Sequence, residues 1–205
     1  MDNQLENNII SIFAQKSNNN TTLNKKILAD SLVIIPSYNE KENIAKIIKA
    51  VFSLEKAFHV LVVDDGSPDG TADIVRDLQN IYPKMLSLLE REGKQGLGTA
   101  YIAGFRWGLQ RDYEYFFEMD ADFSHNPNDL LRLHKMCTEG GADLSVGSRY
   151  IKGGKLKNWP MDRIILSYGA SLYVRAITWM PVNDPTAGFV CYTRKVLQTI
   201  DLDKI

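Results

Sequence analysis

The chain has 205 residues, 44% of them hydrophobic and 24% charged, with a formal net charge of −1. That length supports one domain with a sizeable core, and the near-neutral balance excludes a general polyanion binder, so no nucleic-acid partner is expected. No apolar run approaches the roughly 18–20 residues needed to span a bilayer, no signal peptide opens the polar, Asn-rich start, and the two cysteines and three histidines form no zinc spacing. The expectation is a cytoplasmic protein, with peripheral contact at the cytoplasmic membrane face left open.

Residues 1–29 stand apart. Lys16–Asn24 (KSNNNTTLN) is polar and low in complexity, and the segment reads as a flexible N-terminal extension. The folded domain is expected over 30–205. Leu32–Ile35 is an apolar run ended by Pro36 and reads as the first strand. Ser37 or Asn39 then caps a helix carrying Ile44, Ile47, Ile48, Val51 and Leu54 at helical spacing. Val60–Val63 is a second strand, closed by the turn-rich Asp64–Gly70. Thr71–Asn80 is a helix, with Ala72, Val75 and Leu78 turned inward. Met85–Leu89 is a third strand, and Gly93, Gly96 and Gly98 lead into a helix at Thr99–Arg111.

The aromatic run Tyr115–Met119 reads as a buried fourth strand that stops at two carboxylates, Asp120 and Asp122. Asn126 or Asn128 caps the next helix, which runs through Leu130, Leu131, Leu133 and Met136, and Gly140-Gly141 ends it. Leu144–Val146 is a fifth strand. Strand and helix alternate with short loops, which predicts an α/β fold with a mostly parallel sheet covered on both faces. After Arg149 the alternation breaks. Arg149–Arg175 carries six basic residues against one acid, a local patch suited to a discrete anionic ligand. Within it Met161–Met180 reads either as a core helix or as an interfacial helix on a bilayer. A turn at Asn183–Gly188, a strand at Phe189–Tyr192 and a helix at Lys195–Ile200 complete the chain.

The chemistry gathers at strand ends. Glu40, Asp65, Asp120 and Asp122 each follow a predicted strand, and in an open α/β sheet such ends face one crevice. Two acids crowded at one strand end repel and call for a cation; hard oxygen ligands suit Mg²⁺ or Mn²⁺, which in turn suits a diphosphate. Asp65 suits the N–H groups of a nucleobase. Gly93–Gly98 fits neither the P-loop nor the dinucleotide fingerprint. Arg149 follows the fifth strand and Arg163 opens the long helix, a pair suited to phosphate. His125 reads as a turn residue before it reads as a ligand.

Four ordered motifs, Ile35–Glu40 (IPSYNE), Val63–Thr71 (VDDGSPDGT), Asp120–Pro127 (DADFSHNP) and Gly147–Tyr150 (GSRY), resemble glycosyltransferase family 2 with its GT-A fold. Asn158-Trp159-Pro160 and Asp184–Phe189 narrow the likeness to the polyprenol (dolichyl) phosphate mannosyltransferase branch. The resemblance implies a metal-dependent inverting transferase that moves a hexose, mannose from GDP-mannose, onto a polyprenyl phosphate. It implies donor contacts at Pro36, Tyr38, Glu40, Val63, Asp65, Asp120, Ala121, Asp122 and Arg149. It further implies metal contacts at Asp120 and Asp122, acceptor-phosphate contacts at Arg149 and Arg163, and catalytic roles for Asp122, Arg149 and Arg163. A membrane surface or a membrane-anchoring partner is an implied neighbour. Ser124 departs from the family's frequent Gln, so Ser124 or water is left to complete the metal shell. The family's last basic motif has no counterpart after Lys195, which implies a domain shortened at its C-terminus. Two other readings stay open: transfer to a sugar hydroxyl, with Asp184 as base, and a non-catalytic nucleotide-sugar binding domain.

Overall fold

A computed structural model describes residues 29–148, 161–179, 182 and 184–205, without the side chains of 161–168. The strands are β1 (Ser31–Ser37), β2 (His59–Asp64), β3 (Leu86–Glu90), β4 (Tyr115–Glu118), β5 (Leu144–Val146) and β6 (Val190–Thr193). The helices are α1 (Ile44–Phe52), α2 (Thr71–Ile81), α3 (Leu97–Leu109), α4 (Asp129–Thr138), α5 (Met161–Thr178) and α6 (Arg194–Thr199). They build one six-stranded sheet in the order β3-β2-β1-β4-β6-β5. β1 pairs in parallel with β2 and β4, and β2 with β3; β6 runs antiparallel to both β4 and β5.

Side-chain alternation along the strands explains the two cores. Val33, Ile35, Phe117 and Met119 face one side, where Ile44, Ile47, Ile48 and Val51 of α1, Val75 and Leu78 of α2, and Leu130 and Leu133 of α4 pack on them. Leu32, Ile34 and Phe116 face the other side, against Ala100, Tyr101 and Phe105 of α3 and Leu197 of α6. α3 lies close to the sheet because Gly104 and Gly108 point at it. A Cβ at Gly104 would meet Ile34 Cγ2 at 2.6 Å, and one at Gly108 would meet Phe116 Cε1 at 2.5 Å. No side chain larger than hydrogen fits either position without displacement.

Several sequence expectations are corrected. β1 does not end at Pro36 but runs on to Ser37, with Pro36 opposite Val63. The Met119 amide donates to the Ile34 carbonyl, so even-numbered residues of β1 face β4, whose pairing with β1 stops at Ile34. The missing N–H of Pro36 therefore points where no ladder partner is required. Neither Ser37 nor Asn39 caps α1: the Ser37 hydroxyl donates to Asp64 Oδ1, Asn39 takes a left-handed φ of 62°, and the helix begins only at Ile44. α4 buries Leu130, Leu133 and Cys137 and leaves Met136 exposed. Neither Asn126 nor Asn128 makes a side-chain cap there; Asn126 Oδ1 instead accepts from the Asn128 amide within the preceding loop. The last strand enters the sheet between β4 and β5 in the reverse direction.

The core-helix reading does not hold for the C-terminal part of α5. Leu172, Tyr173, Ile177 and Trp179 are all exposed. Among the described residues no helix is long and apolar enough to cross a membrane. The N-terminal extension, the Arg149–Trp159 loop and the Arg163 side chain lie outside the described residues.

Candidate active site

β1 has β2 on one side and β4 on the other, so the chain reverses its order across the sheet at β1. At such a switch point the loops from two neighbouring strands part and leave a crevice at the C-terminal edge. Ser37–Glu40, Asp64–Asp65 and Asp120–Asp122 all lie at that edge, where the three strands end.

The two acids after β2 divide their work. Asp64 ties the edge together: its Oδ1 accepts from Ser37 and Ser67 hydroxyls at 2.9 and 2.6 Å, and its Oδ2 from the Ser67 amide at 2.9 Å. Asp65 is nearly buried and paired with Arg91, whose Nε and Nη2 stand 2.7 and 2.5 Å from Oδ1. The Gln95 amide donates to Asp65 Oδ2 at 3.1 Å. A carboxylate offers about four acceptor positions, so one on Oδ2 is left for an incoming N–H. Asp65 thus also anchors the glycine loop that sequence reasoning reads as a plain turn. Arg91 was not legible as a site residue, because its partner lies 26 positions away.

Tyr38 is partly exposed, and the Lys94 ammonium sits 4.8 Å from its ring centroid. The Glu40 amide donates to the Thr71 hydroxyl, and Glu40 Oε2 accepts from Asn43. Pro36 is half-buried at the same edge. Val63 and Ala121, at the ends of the same strands, are buried within the two cores.

Asp120 and Asp122 differ. Asp122 is exposed, and its Oδ1 accepts from the Ser124 amide at 2.9 Å, a local turn that directs the carboxylate outward. Phe123, between the acid and Ser124, has a φ of 59°, a costly conformation for a bulky side chain and of a kind that gathers at functional sites. Asp120 is half-buried and accepts from the Tyr101 hydroxyl at 3.2 Å on Oδ1. Its Oδ2 faces His125 Nε2 at 4.0 Å. Burial pushes the Asp120 carboxyl above the ordinary carboxylate range; His125 and the Tyr101 hydroxyl pull it partly back, and Asp122 adds to the rise. Glu118, two residues before it, is pushed up to about 7, chiefly by burial, with the Tyr192 hydroxyl opposing and Asp120 reinforcing the shift. Among the described residues no three acidic, histidine or cysteine side chains converge as a closed metal cage. Asp120, which burial and the neighbouring Asp122 charge destabilise as an anion, and the exposed Asp122 beside it fit Mg²⁺ or Mn²⁺, which keep waters and substrate phosphates in their shells. His125 stacks on Phe189, 4.8 Å between centroids and 14° between planes, beside Asp120.

Asp184 is 1% exposed, with Thr186 donating to it at 3.3 Å. The turn after it brings Gly188 against Asp120 Oδ2, 3.7 Å from where a Cβ would stand. Arg149 and Arg163, the expected phosphate pair, fall outside the described side chains.

The family model for glycosyl transferase family 2 matches residues 32–201. The chain belongs to glycosyltransferase family 2. Its curated relatives include the polyprenol monophosphomannose synthase of Mycolicibacterium smegmatis, 47% identical over 175 residues, covering 85% of this chain and 66% of that protein. The undecaprenyl-phosphate mannosyltransferase of Micrococcus luteus is 45% identical over 174 residues, covering 85% and 70%. The chain therefore spans about two thirds of the length of these relatives. Among solved structures, a mannosyltransferase from Pyrobaculum calidifontis in complex with GDP-Man and Mn²⁺ superposes with a TM-score of 0.60 at 18% identity, over 96% of this chain and 55% of that one. That likeness concerns the fold, which for this family 2 chain is GT-A: a mostly parallel sheet with helices on both faces.

Proposed function

We propose that the complete protein transfers mannose from GDP-mannose to a polyprenyl phosphate, with inversion at the sugar's anomeric carbon. The observation that carries this reading is identity of 45–47% to two transferases named for that lipid-phosphate chemistry, along a chain whose acids converge on one sheet edge. Asp65 accepts an N–H of the base on its remaining Oδ2 position, and Tyr38 and Glu40 border the same end of the donor. Asp122, with Asp120 behind it, would hold Mg²⁺ or Mn²⁺; the ion supplies charge neutralisation for the departing diphosphate. Arg149 and Arg163 grip the acceptor phosphate and align it with the anomeric carbon.

The acceptor phosphate is already ionised near neutral pH, so its oxygen attacks without a protein base. The C1–O bond to the donor diphosphate breaks as the new C1–O bond to the lipid phosphate forms on the opposite face. An α-linked donor then gives a β-linked product. The exposed apolar residues of α5, with Arg175 among them, suit a peripheral position on the cytoplasmic membrane face, where the lipid tail resides.

The test is a product assay. The complete protein is incubated with Mn²⁺, polyprenyl phosphate and a panel of nucleotide sugars, and lipid products are read by mass spectrometry. A hexose-phosphate lipid formed from GDP-mannose in preference to the other donors supports the reading. Transfer to a sugar hydroxyl, or donor binding with no product, contradicts it.

A further inference from the structure

Tyr101 lies one turn into α3, facing the sheet rather than the crevice, and is 6% exposed. Its ring stacks on Phe105 at 6.4 Å between centroids, a role phenylalanine would fill equally well. The hydroxyl needs its own explanation, because burying one without a partner costs roughly 1–3 kcal/mol. Its partner is Asp120 Oδ1, at 3.2 Å. A tyrosine hydroxyl has one proton to give, and an ionised carboxylate only accepts, so the direction of this bond is fixed. With Oδ1 occupied on the core side, Oδ2 is the oxygen turned toward His125 and the Gly188 turn.

The same stretch of chain reaches both ends of the crevice. Arg91 and the Gln95 amide bind Asp65, and Tyr101, six residues after Gln95, binds Asp120. We propose that Tyr101 is a positioning residue, which holds Asp120 in the one orientation that offers Oδ2 to a divalent cation. This rests on the metal reading above. Asp122, exposed and held by its own loop, supplies the adjustable contact; Asp120, held from the core, supplies the fixed one. Partners that orient a ligating carboxylate are typically worth roughly 10- to 100-fold in metal affinity.

The test uses the complete protein and its Tyr101→Phe variant, which keeps the ring and removes only the hydroxyl. GDP affinity is measured by calorimetry with and without Mn²⁺, and free Mn²⁺ is followed by electron paramagnetic resonance. The wild type is expected to bind GDP more tightly with Mn²⁺. Tyr101→Phe is expected to lose roughly tenfold in Mn²⁺ affinity, with metal-free GDP affinity unchanged. In an Asp120→Ala background, which removes the acceptor, the same substitution is expected to add nothing, because the interaction it removes is already broken. Equal losses with and without Mn²⁺, or an unchanged Mn²⁺ affinity in Tyr101→Phe, overturn the proposal while leaving the metal reading intact. A wild type whose GDP affinity ignores Mn²⁺ overturns the metal reading and this proposal together. If Tyr101→Phe does not fold, a Tyr101→Met variant, which also removes the donor, overturns it as well if it folds and keeps wild-type Mn²⁺ affinity.

Discussion

At the scale of single residues, neighbours decide what each charge does. Arg91 and Asp65 are paired with side chains only 9% and 7% exposed, so removing one partner leaves a buried charge unmatched. Arg91→Met is expected to cost about 3 kcal/mol of stability and to weaken GDP binding. Arg76→Met, which removes exposed pairs to Asp73 and Glu90, is expected to leave stability nearly unchanged. Urea unfolding of both variants checks the contrast. His59 gives a pH-dependent counterpart on the opposite face. Burial, aided by Arg111, pushes its imidazole down to about 4, and its Nε2 meets Ser87 Oγ at 2.9 Å. The folded state then binds fewer protons than the unfolded chain between about pH 6.5 and 4. His59 therefore contributes stability that is present above about 6.5 and lost as pH falls to about 4. Urea midpoints at pH 7.5 and 4.5 should fall less for His59→Gln than for the wild type. The acids were legible because turn-rich loops follow apolar runs; Arg91 and Tyr101 were not. Their partners are 26 and 19 residues away, and closures of that kind leave no local periodicity.

At the scale of elements, the strands that build the crevice were readable and their directions were not. Leu32–Ile35, Val60–Val63 and Tyr115–Met119 announce themselves as apolar, β-branched or aromatic runs. A four-residue strand such as β6 carries no mark of whether it runs parallel or antiparallel to β4. The turn at 184–188 delivers β6 in reverse, and that reversal seats Phe189 under His125 and Gly188 against Asp120. The glycines of α3 were read only as part of a helical stretch, yet Gly104 and Gly108 set how closely Tyr101 approaches the acids. Gly108→Ala forces a methyl against Phe116 and Leu32 and is expected to cost about 1–3 kcal/mol. Urea unfolding measures that loss. Because the shift moves α3 as a unit, GDP affinity in Mn²⁺ should fall as well.

At the scale of the whole molecule, the sheet gathers Asp65, Asp120 and Asp122 at its C-terminal edge, while α5 carries exposed Leu172, Tyr173 and Ile177, with exposed Trp179 just after it. The proposed acceptor, whose phosphate reacts and whose tail stays in lipid, calls for a membrane-binding face, and these residues are its candidates. Trp179→Ser with Ile177→Ser should reduce sedimentation of the complete protein with anionic phospholipid vesicles, with donor affinity retained. In the proposed reaction the acid pair at the end of β4 drives transfer to a lipid phosphate. The direct measurement is the initial rate of mannosyl transfer from GDP-mannose to polyprenyl phosphate in Mn²⁺, for the complete wild-type protein and for Asp122→Ala. A loss of roughly 100-fold or more in a folded Asp122→Ala protein is expected; an Asp122→Ala rate equal to wild type contradicts the account.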